Sequence, residues 1–168
     1  MQETQSPYGL PSDYLPQKPP MQVISRIVSI TESEAVCETD PGAEGPLEVF
    51  ADERGRIPSE IAIELLAQCV GVWAGYQRRE VNRKAAEADR DAPAGFLLSV
   101  RAMKVNEAGI PRGAPLRITM RKLVYEESMG SFEGEIKAGE TEVASGRVSV
   151  FQPKARDLER LRSGGALK

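Results

Sequence analysis

The chain has 168 residues, a hydrophobic content of 40%, a charged content of 28% and a formal net charge of −3. This length suffices to bury a core without metals or disulfides, and the composition is ordinary for a single globular domain. The acidic balance argues against non-specific nucleic-acid binding, which needs a basic surface to displace counterions from phosphates.

Histidine does not occur in the sequence. Catalysis by Ser-His-Asp or Cys-His groups and zinc sites built on histidine are therefore excluded. Any acid or base must be a carboxylate, Lys, Tyr or Cys whose pKa is adjusted by its surroundings. The two cysteines, Cys37 and Cys69, lack metal-binding spacing, and we expect them to be buried small side chains in a reducing compartment.

Residues 1–13, "MQETQSPYGLPSD", are polar and punctuated by Pro and Gly, which predicts a flexible N-terminal arm. They have neither the basic nor the apolar region of a signal peptide. No apolar run in the chain approaches the roughly 20 residues that a membrane span needs. These features predict a soluble, cytoplasmic, single-domain protein without membrane insertion or bound metal.

The next segments predict short strands. Residues 21–40, "MQVISRIVSITESEAVCETD", contain β-branched runs on both sides of the polar "TESE", which predicts two strands joined by a turn. Residues 47–58, "LEVFADERGRIP", suggest one more short strand that runs into a turn.

A long helix is predicted over residues 59–91, where proline is absent. Ser59 is a good candidate for the N-cap, and Glu60 suits the positive N-terminus of a helix. Residues 61–76 are apolar on nearly every face, which predicts a buried helix. The sequence becomes polar from Gln77, so we expect the C-terminal half of the helix to be exposed.

Four strand candidates follow the helix: "GFLLSVRAMKVN", "APLRITMRKLVYEE", "GSFEGEIKAG" and "TEVASGRVSVFQP". Polar and apolar residues alternate in the last three, which predicts an antiparallel meander with one buried face, and "KAGET" suits a hairpin. A charged tail begins at Lys154. The order predicts an α+β hotdog fold, a curved antiparallel sheet wrapped around one long central helix, whose edge strands pair across a two-fold axis in a dimer.

Several motifs carry a family resemblance. Residues 57–68, "IPSEIAIELLAQ", resemble the "MPG-x-L-x-IEAMAQ" stretch of bacterial β-hydroxyacyl-ACP dehydratases of the FabZ type, with Ser59 in place of a glycine. Residues 14–30, "YLPQKPPMQVISRIVSI", resemble the family's "LPHR-x-PMLLIDRV", with Gln17 in place of the histidine. The stretches "AIELLAQCVGVWAGY" and "MGSFEGEIKAGETEVASGRVSVFQP" resemble the 3-hydroxyacyl-ACP dehydratase-like proteins of aryl-polyene biosynthesis. The resemblance covers residues 14–153, the expected hotdog domain, and leaves 154–168 as a tail.

The resemblance implies a substrate and a mechanism. In this family the substrate is a 3-hydroxyacyl chain held as a thioester on the phosphopantetheine arm of an acyl carrier protein, so no separate cofactor is expected. A histidine removes the α-proton, and a helix carboxylate of the other subunit helps the β-hydroxyl leave as water. Backbone N–H groups at the start of the central helix polarise the thioester carbonyl, where amide donors and the helix dipole favour negative charge.

Carried over to this chain, the resemblance implies that Glu64 is the catalytic carboxylate and that the substrate contacts Pro58, Ser59, Glu60 and Gln68. A carboxylate in an apolar helix is costly unless it is paired, hydrogen-bonded or used in function, although Glu64 could also lie on a stripe that reaches solvent. Gln68 is one turn further on the same face and could bind Glu64 or a ligand, or serve a dimer interface.

Gln17 is the departure from an active dehydratase, because a neutral amide cannot act as a base. Asp13, Tyr14 and Lys18 are nearby alternatives without supporting features, and Gln17 could also be a loop amide that ties backbone groups together. Arg54 and Arg56, beside the helix start, are candidates for docking an acidic carrier protein, although a solvated surface explains them nearly as well.

These observations predict an acyl-thioester-binding hotdog protein that acts in dehydration of 3-hydroxyacyl-ACP to enoyl-ACP. We expect a homodimer, or a heterodimer in which a histidine-bearing hotdog subunit supplies the base and the lone chain is weakly active. Two alternatives stay open: a thioesterase that uses Glu64, and a non-catalytic subunit that binds acyl-ACP or acts as a scaffold.

Overall fold

The computed structural model describes residues 6–81, 95–153 and 155–164. The strands are β1 Arg26–Ile30, β2 Glu34–Thr39, β3 Phe96–Val105, β4 Leu116–Glu126, β5 Met129–Ala138 and β6 Thr141–Phe151. The helices are α1 Ile61–Val81 and α2 Ala155–Arg162, with short 3-10 helices at Pro11–Asp13 and Glu48–Phe50. The strands form one antiparallel sheet in the order β1-β2-β4-β5-β6-β3, curved around α1. The predicted α+β fold is confirmed.

The buried half of α1 forms the centre of the core. Its fully buried side chains are Ala62, Leu65, Leu66, Cys69 and Val72. They pack against the inner faces of β2, β4 and β5, which contribute side chains such as Ile118 and Phe132. Each large apolar side chain removed from water stabilises a fold by roughly 1.5–3 kcal/mol, so this helix–sheet contact contributes a large share of the stability.

The predicted alternation of the meander matches the strand register. Phe132 pairs with Val148 on the inner face, and Glu133 pairs with Arg147 on the outer face. The hairpin predicted at "KAGET" connects β5 to β6, with Gly139 at a φ of +60°. The positive φ favours glycine because that residue has no Cβ.

Residues 47–58 were predicted as a short strand that runs into a turn, and only the turn is found. The segment forms the 3-10 helix Glu48–Phe50 and then a turn around Asp52. The Asp52 carboxylate accepts hydrogen bonds from the backbone N–H groups of Arg54 and Arg56, both at 2.9 Å. This aspartate explains the turn, because a carboxylate that binds the backbone just after it favours a turn. The strand prediction is wrong because the N–H groups of Phe50 and Ala51 donate to the carbonyls of Leu47 and Glu48, which closes a 3-10 helix.

Residues 6–13, predicted as part of a flexible arm, pack on the domain. Ser6 Oγ donates a hydrogen bond to the carbonyl of Ile27 at 2.8 Å. The Tyr8 ring meets the edge of the Tyr76 ring with centroids 5.9 Å apart. Residues 6–13 therefore make specific contacts with the domain, although their composition predicted a solvent-exposed arm.

Two further predictions concern the C-terminal tail and the C-terminal half of the long helix. The predicted tail, residues 154–168, contains the helix α2, whereas residues 154 and 165–168 lie outside the described chain. The predicted exposed half of the long helix is described only up to residue 81, and 82–91 lie outside the described residues. Within the described ranges, no helix is long and apolar enough to cross a membrane.

Two helical glycines let the N-terminal segment approach α1. A Cβ on Gly75 would lie 2.8 Å from both the carbonyl oxygen and the Cβ of Tyr14. A Cβ on Gly71 would lie 2.8 Å from Cδ2 of Leu15. Because neither glycine has a side chain, the backbone of Tyr14 and the side chain of Leu15 rest directly on the helix.

We predict that Gly75→Ala destabilises the protein, by about 1–3 kcal/mol, because the new methyl group meets backbone atoms of Tyr14 in a packed contact. The alanine should otherwise stabilise the helix by about 1 kcal/mol. Gly71→Ala is the matched control, since the atom that it meets is the end of the Leu15 side chain, which can rotate. Denaturant unfolding measures both. A Gly75→Ala protein as stable as wild type would show that residues 14–15 do not rest on α1.

Candidate functional site

A cavity of about 160 Å³ lies between one face of α1, the segment 14–17 and the neighbouring ends of β3 and β6. Its wall includes both Gln17 and Glu64. The family resemblance implied that the histidine and the carboxylate come from different subunits. Here the two corresponding positions line the same cavity of one chain.

Glu64 lies in the first turn of α1 and is half-buried. Its Oε1 accepts a hydrogen bond of 2.6 Å from Nε2 of Gln68, one turn further along the helix. No hydrogen bond from the described residues reaches Oε2. The carboxylate is thus held at one oxygen and can accept a donor from a bound molecule at the other.

Gln68 is 1% exposed, and its amide connects α1 to the segment before β1. Oε1 accepts the backbone N–H of Val23 at 2.9 Å, and Nε2 donates to the carbonyl of Met21 at 2.7 Å as well as to Glu64. Both amide protons are therefore used inside the chain. Gln68 thus orients Glu64, as one of the two predicted roles has it, and it also lines the cavity. Its contact with substrate stays a prediction.

The side-chain oxygen of Gln17 is a hydrogen-bond acceptor without a donor among the described residues. The residue is half-buried on the cavity wall, and its Oε1 is fully buried without a hydrogen-bond partner among the described residues. Leaving a buried acceptor unpaired costs about 1–3 kcal/mol. A donor supplied by a bound molecule or by another subunit would remove this cost.

Two tyrosines share the cavity wall with Glu64. The hydroxyl of Tyr14 donates to the carbonyl of Tyr8 at 2.6 Å, and burial raises the pKa of Tyr14 above its usual value. Burial likewise raises the pKa of Tyr125. Both phenols are protonated at neutral pH, so neither replaces the missing histidine as a base.

The other candidate bases do not reach the cavity. Asp13 and Lys18 are exposed and do not line it. Asp13 accepts the backbone N–H of Leu10 at 2.9 Å, and Lys18 Nζ donates to the carbonyl of Ser12 at 3.0 Å. Among the described residues, Glu64 is the only carboxylate on the cavity wall.

The structure separates the helix start from this cavity. Pro58, Ser59 and Glu60 line a different, open depression of about 430 Å³, together with the acidic side chains Asp52 and Glu107. The predicted substrate contacts 58–60 and the predicted catalytic position 64 are therefore not brought together on one cavity wall of the single chain.

The N-cap prediction for Ser59 is wrong. Helix α1 begins at Ile61, and Ser59 lies in the turn before it. The backbone N–H groups of residues 61–63 donate to the carbonyls of residues 58–60 at 3.0–3.2 Å. A turn that closes on backbone carbonyls satisfies these donors without a side-chain cap. The role of helix-start amides at a thioester oxygen, which the resemblance implied without naming residues, stays a prediction.

Arg54 and Arg56, the predicted carrier-docking residues, are both exposed. Arg56 forms an ion pair with Asp52, with 2.8 Å between nitrogen and oxygen. Hydrogen bonds from Arg56, first from its backbone and then from its side chain, lower the pKa of Asp52. Arg54 has no ion pair among the described residues, so it retains the freer charge of the two.

Sequence reasoning missed the small residues that shape the cavity. Ala67, Gly71 and Ala74 line it from α1, at three, seven and ten positions after Glu64. This spacing puts them on the same helix face as Glu64, so the signal is present in the sequence. Tyr125 of β4 was also missed, and it has no such signal because only the tertiary fold brings it to the helix.

The comparisons with known proteins agree with this fold. The family model described as ApeP-like, ApeP dehydratase, matches residues 10–162. The dehydratase heterocomplex ApeI:P from Xenorhabdus doucetiae superposes with a TM-score of 0.81 at 33% identity, over 91% of this chain and 97% of that chain. No curated protein matches the chain in sequence.

More distant structures share the fold alone. A hypothetical thioesterase protein with coenzyme A from Streptococcus pneumoniae TIGR4 has a TM-score of 0.53 at 13% identity, over 76% of this chain and 84% of that chain. The PaaI protein of the E. coli phenylacetic acid degradation operon has a TM-score of 0.53 at 14% identity, over 75% and 81%. The family match over nearly the whole chain and the 33% identity to a solved dehydratase complex are far more specific, and this protein belongs to the ApeP-like dehydratase family.

Proposed function

We propose that this chain acts in the dehydration of 3-hydroxyacyl thioesters, carried on an acyl carrier protein, to enoyl thioesters in aryl-polyene-type biosynthesis. The observation that carries the proposal is the carboxylate of Glu64, held by Gln68 on a cavity that also contains Gln17. Gln17 stands where the resemblance expects the family's histidine.

Dehydration removes the α-proton and the β-hydroxyl and leaves a double bond conjugated with the thioester carbonyl. The electron pair of the Cα–H bond forms the double bond while the Cβ–O bond breaks, and the hydroxyl leaves as water after it gains a proton. We assign the protonation of the leaving hydroxyl to Glu64. Protonated at Oε2, which no described residue bonds, its carboxyl group donates this proton and becomes a carboxylate. The base gains the α-proton, and a proton returned to Glu64 completes the cycle. The buried Oε1 of Gln17 can accept a hydrogen bond from the substrate.

The remaining need is a base for the α-proton. General base catalysis typically contributes about a hundred- to ten-thousand-fold to the rate. Since the phenols on the cavity wall stay protonated and Gln17 is neutral, we infer that a second, histidine-bearing hotdog subunit supplies this base. The related complex ApeI:P is described as a heterocomplex, which supports an unlike partner here.

The outer edge of β3 is the surface where we expect this partner. β3 is the terminal strand of the sheet, and no described strand pairs with its outer edge. Its first residues, Phe96 and Leu97, also line the cavity. A strand added to this edge would extend the sheet and bring a second subunit beside Glu64.

An acidic carrier protein needs a basic surface for its approach. Arg54 fits this role better than Arg56, because Asp52 already pairs with Arg56. Reversing an exposed charge at the rim of an interface mainly changes the association rate and its salt dependence. We therefore assign Arg54 a steering role for the carrier rather than a part in the chemistry.

One test of the proposed function restores the missing base. Gln17→His in the lone chain should raise the interconversion of 3-hydroxyacyl and enoyl pantetheine thioesters, by part of the roughly hundred- to ten-thousand-fold that a general base contributes. Mass spectrometry of the thioester products measures the rate, with chains of several lengths. Gln17→Asn, which keeps an amide but offers no base, is the control and should stay at the wild-type level.

The Gln17→His, Glu64→Gln double variant should lose the recovered activity, because the base still needs a group to assist the leaving hydroxyl. Efficient dehydration by the wild-type chain alone would contradict the inference that the base is absent. Release of free carboxylic acid instead of enoyl thioester would identify a thioesterase. A folded Gln17→His variant that is silent with all chain lengths would favour a non-catalytic binding subunit.

A further test concerns the hydrogen bond that supports Glu64. Gln68→Met should destabilise the protein by about 1–3 kcal/mol, because the backbone N–H of Val23 loses its buried acceptor. In the Gln17→His background it should also lower kcat more than it raises KM, since the orientation of Glu64 is lost. Gln77→Met is the matched control on the same helix, because Gln77 donates only an exposed hydrogen bond to the Thr31 carbonyl. Equal losses in both variants would contradict the positioning role.

A further inference from the structure

Val23 is a buried residue whose backbone polar groups are bonded by side chains. It lies three residues before β1 and is 0% exposed. Its N–H donates to Oε1 of Gln68 at 2.9 Å, and its carbonyl accepts a hydrogen bond of 2.5 Å from Oγ1 of Thr39. A buried peptide group outside a strand ladder needs such partners. One side chain from α1 and one from β2 therefore hold Val23 from two sides.

Thr39 is a polar residue on the otherwise apolar inner face of β2. Ala35 and Cys37, at alternate positions of this strand, are fully buried in the core. Thr39 is 1% exposed, and burying a hydroxyl costs free energy unless it forms a hydrogen bond. Its proton is donated to the Val23 carbonyl, and Oγ of Ser25, 3.3 Å away, can donate to its oxygen. The buried hydroxyl is thus satisfied mainly through Val23.

The Gln68 amide depends on Val23 at one of its two ends. Its oxygen has a single hydrogen-bond donor among the described residues, the N–H of Val23. Its nitrogen has two acceptors, the Met21 carbonyl at 2.7 Å and Oε1 of Glu64 at 2.6 Å. A planar amide that is bonded at both ends is fixed in orientation, whereas one bonded only through its nitrogen can rotate. The hydrogen bond to Glu64 therefore keeps its geometry only while the Val23 peptide stays in place.

We propose that Thr39 is a positioning residue for Glu64. It fixes the Val23 peptide, this peptide fixes the oxygen of the Gln68 amide, and the amide nitrogen holds Oε1 of Glu64. Thr39 is not among the described residues that line the cavity, so it acts through these two partners and not through a contact with a bound molecule. The proposal rests on the proposed function only for the chemical role of Glu64.

NMR spectroscopy of the free protein tests these hydrogen bonds. Thr39→Val keeps the shape of the side chain and removes the hydroxyl, which leaves the buried Val23 carbonyl unpaired. We expect hydrogen exchange at the Val23 N–H and at the side-chain amide of Gln68 to rise by about tenfold relative to wild type. The carboxyl carbon of Glu64, assigned with the help of Glu64→Gln, should change its chemical shift because the hydrogen bond at Oε1 weakens.

Two control variants separate this effect from a general loss of stability. Thr39→Ser keeps the hydroxyl and removes only the methyl group, so its exchange rates and chemical shifts should stay close to those of wild type. Ile136→Val also removes one methyl group, from a fully buried side chain of β5 that forms none of these hydrogen bonds. It should lower the midpoint of denaturant unfolding but leave the exchange of Val23 and Gln68, relative to other core amides, unchanged.

The consequence for the reaction is measured in the Gln17→His background. There Thr39→Val should lower kcat roughly five- to tenfold and leave KM within about twofold, because it displaces a group that acts as the hydroxyl leaves and removes no contact with substrate. Thr39→Ser should recover most of the lost kcat, since it restores the hydroxyl. Ile136→Val should leave both constants unchanged.

Wild-type exchange rates and chemical shifts in Thr39→Val would overturn the inference, as would equal changes in Thr39→Val and Ile136→Val. An unchanged kcat of Thr39→Val in an active Gln17→His protein would overturn the positioning role. If Thr39→Val does not fold, wild type still decides, because rapid exchange of the Val23 N–H in the native protein would show that this peptide is not held. The NMR measurements need no substrate, so a silent Gln17→His protein would count against the proposed function and not against the hydrogen bonds from Thr39 to Glu64.

Discussion

The buried amide of Gln68 is the interaction on which the site depends. Its oxygen satisfies the backbone N–H of Val23, and its two N–H groups bind the Met21 carbonyl and the Glu64 carboxylate. A glutamate in the buried half of α1 would be costly to bring out of water without such a partner. The same amide secures the chain before β1 to the helix. Stability and the orientation of the acidic group therefore share one set of hydrogen bonds, and neither can be changed alone.

The close approach of the N-terminal segment has a second cause, the small residues on the same helix face. Gly75 lets the backbone of Tyr14 touch α1, and Arg79 Nη2 donates to the carbonyl of Asp13 while its guanidinium lies 4.8 Å from the Tyr14 ring centroid. The packing of the Tyr14 backbone on Gly75, together with the hydrogen bond and cation–π contact of Arg79, holds residues 13 and 14 against α1. Gln17 follows directly in the chain, so the position of its side chain is a consequence of how closely glycine allows the backbone to pack.

The sequence predicted the parts of the fold that follow from periodicity. The long stretch that is apolar on all sides predicted a buried helix, and the alternation in β4–β6 predicted an antiparallel meander. The structure has both. The short strand predicted before Asp52 was wrong, because the backbone N–H groups of Phe50 and Ala51 bind carbonyls three residues earlier in a 3-10 helix instead of a neighbouring strand. The site divides in the same way. Glu64 and Gln68 share a helix face by spacing alone, whereas the separation of Ser59 from Glu64 depends on which cavity each borders, and no sequence pattern encodes that.

Two deficits of the single chain meet at one place. β3 is the terminal strand of the sheet, and no described strand pairs with its outer edge, where Phe96, Leu97 and Leu98 are exposed. The cavity lacks a base for the proposed reaction, since its described wall contains the Glu64 carboxylate but no group that we expect to take the α-proton. Because Phe96 and Leu97 belong both to the free edge and to the cavity wall, a subunit that completes the sheet also reaches the cavity. A second copy of this chain could extend the sheet in the same way, but it has no histidine and would bring no base to the cavity.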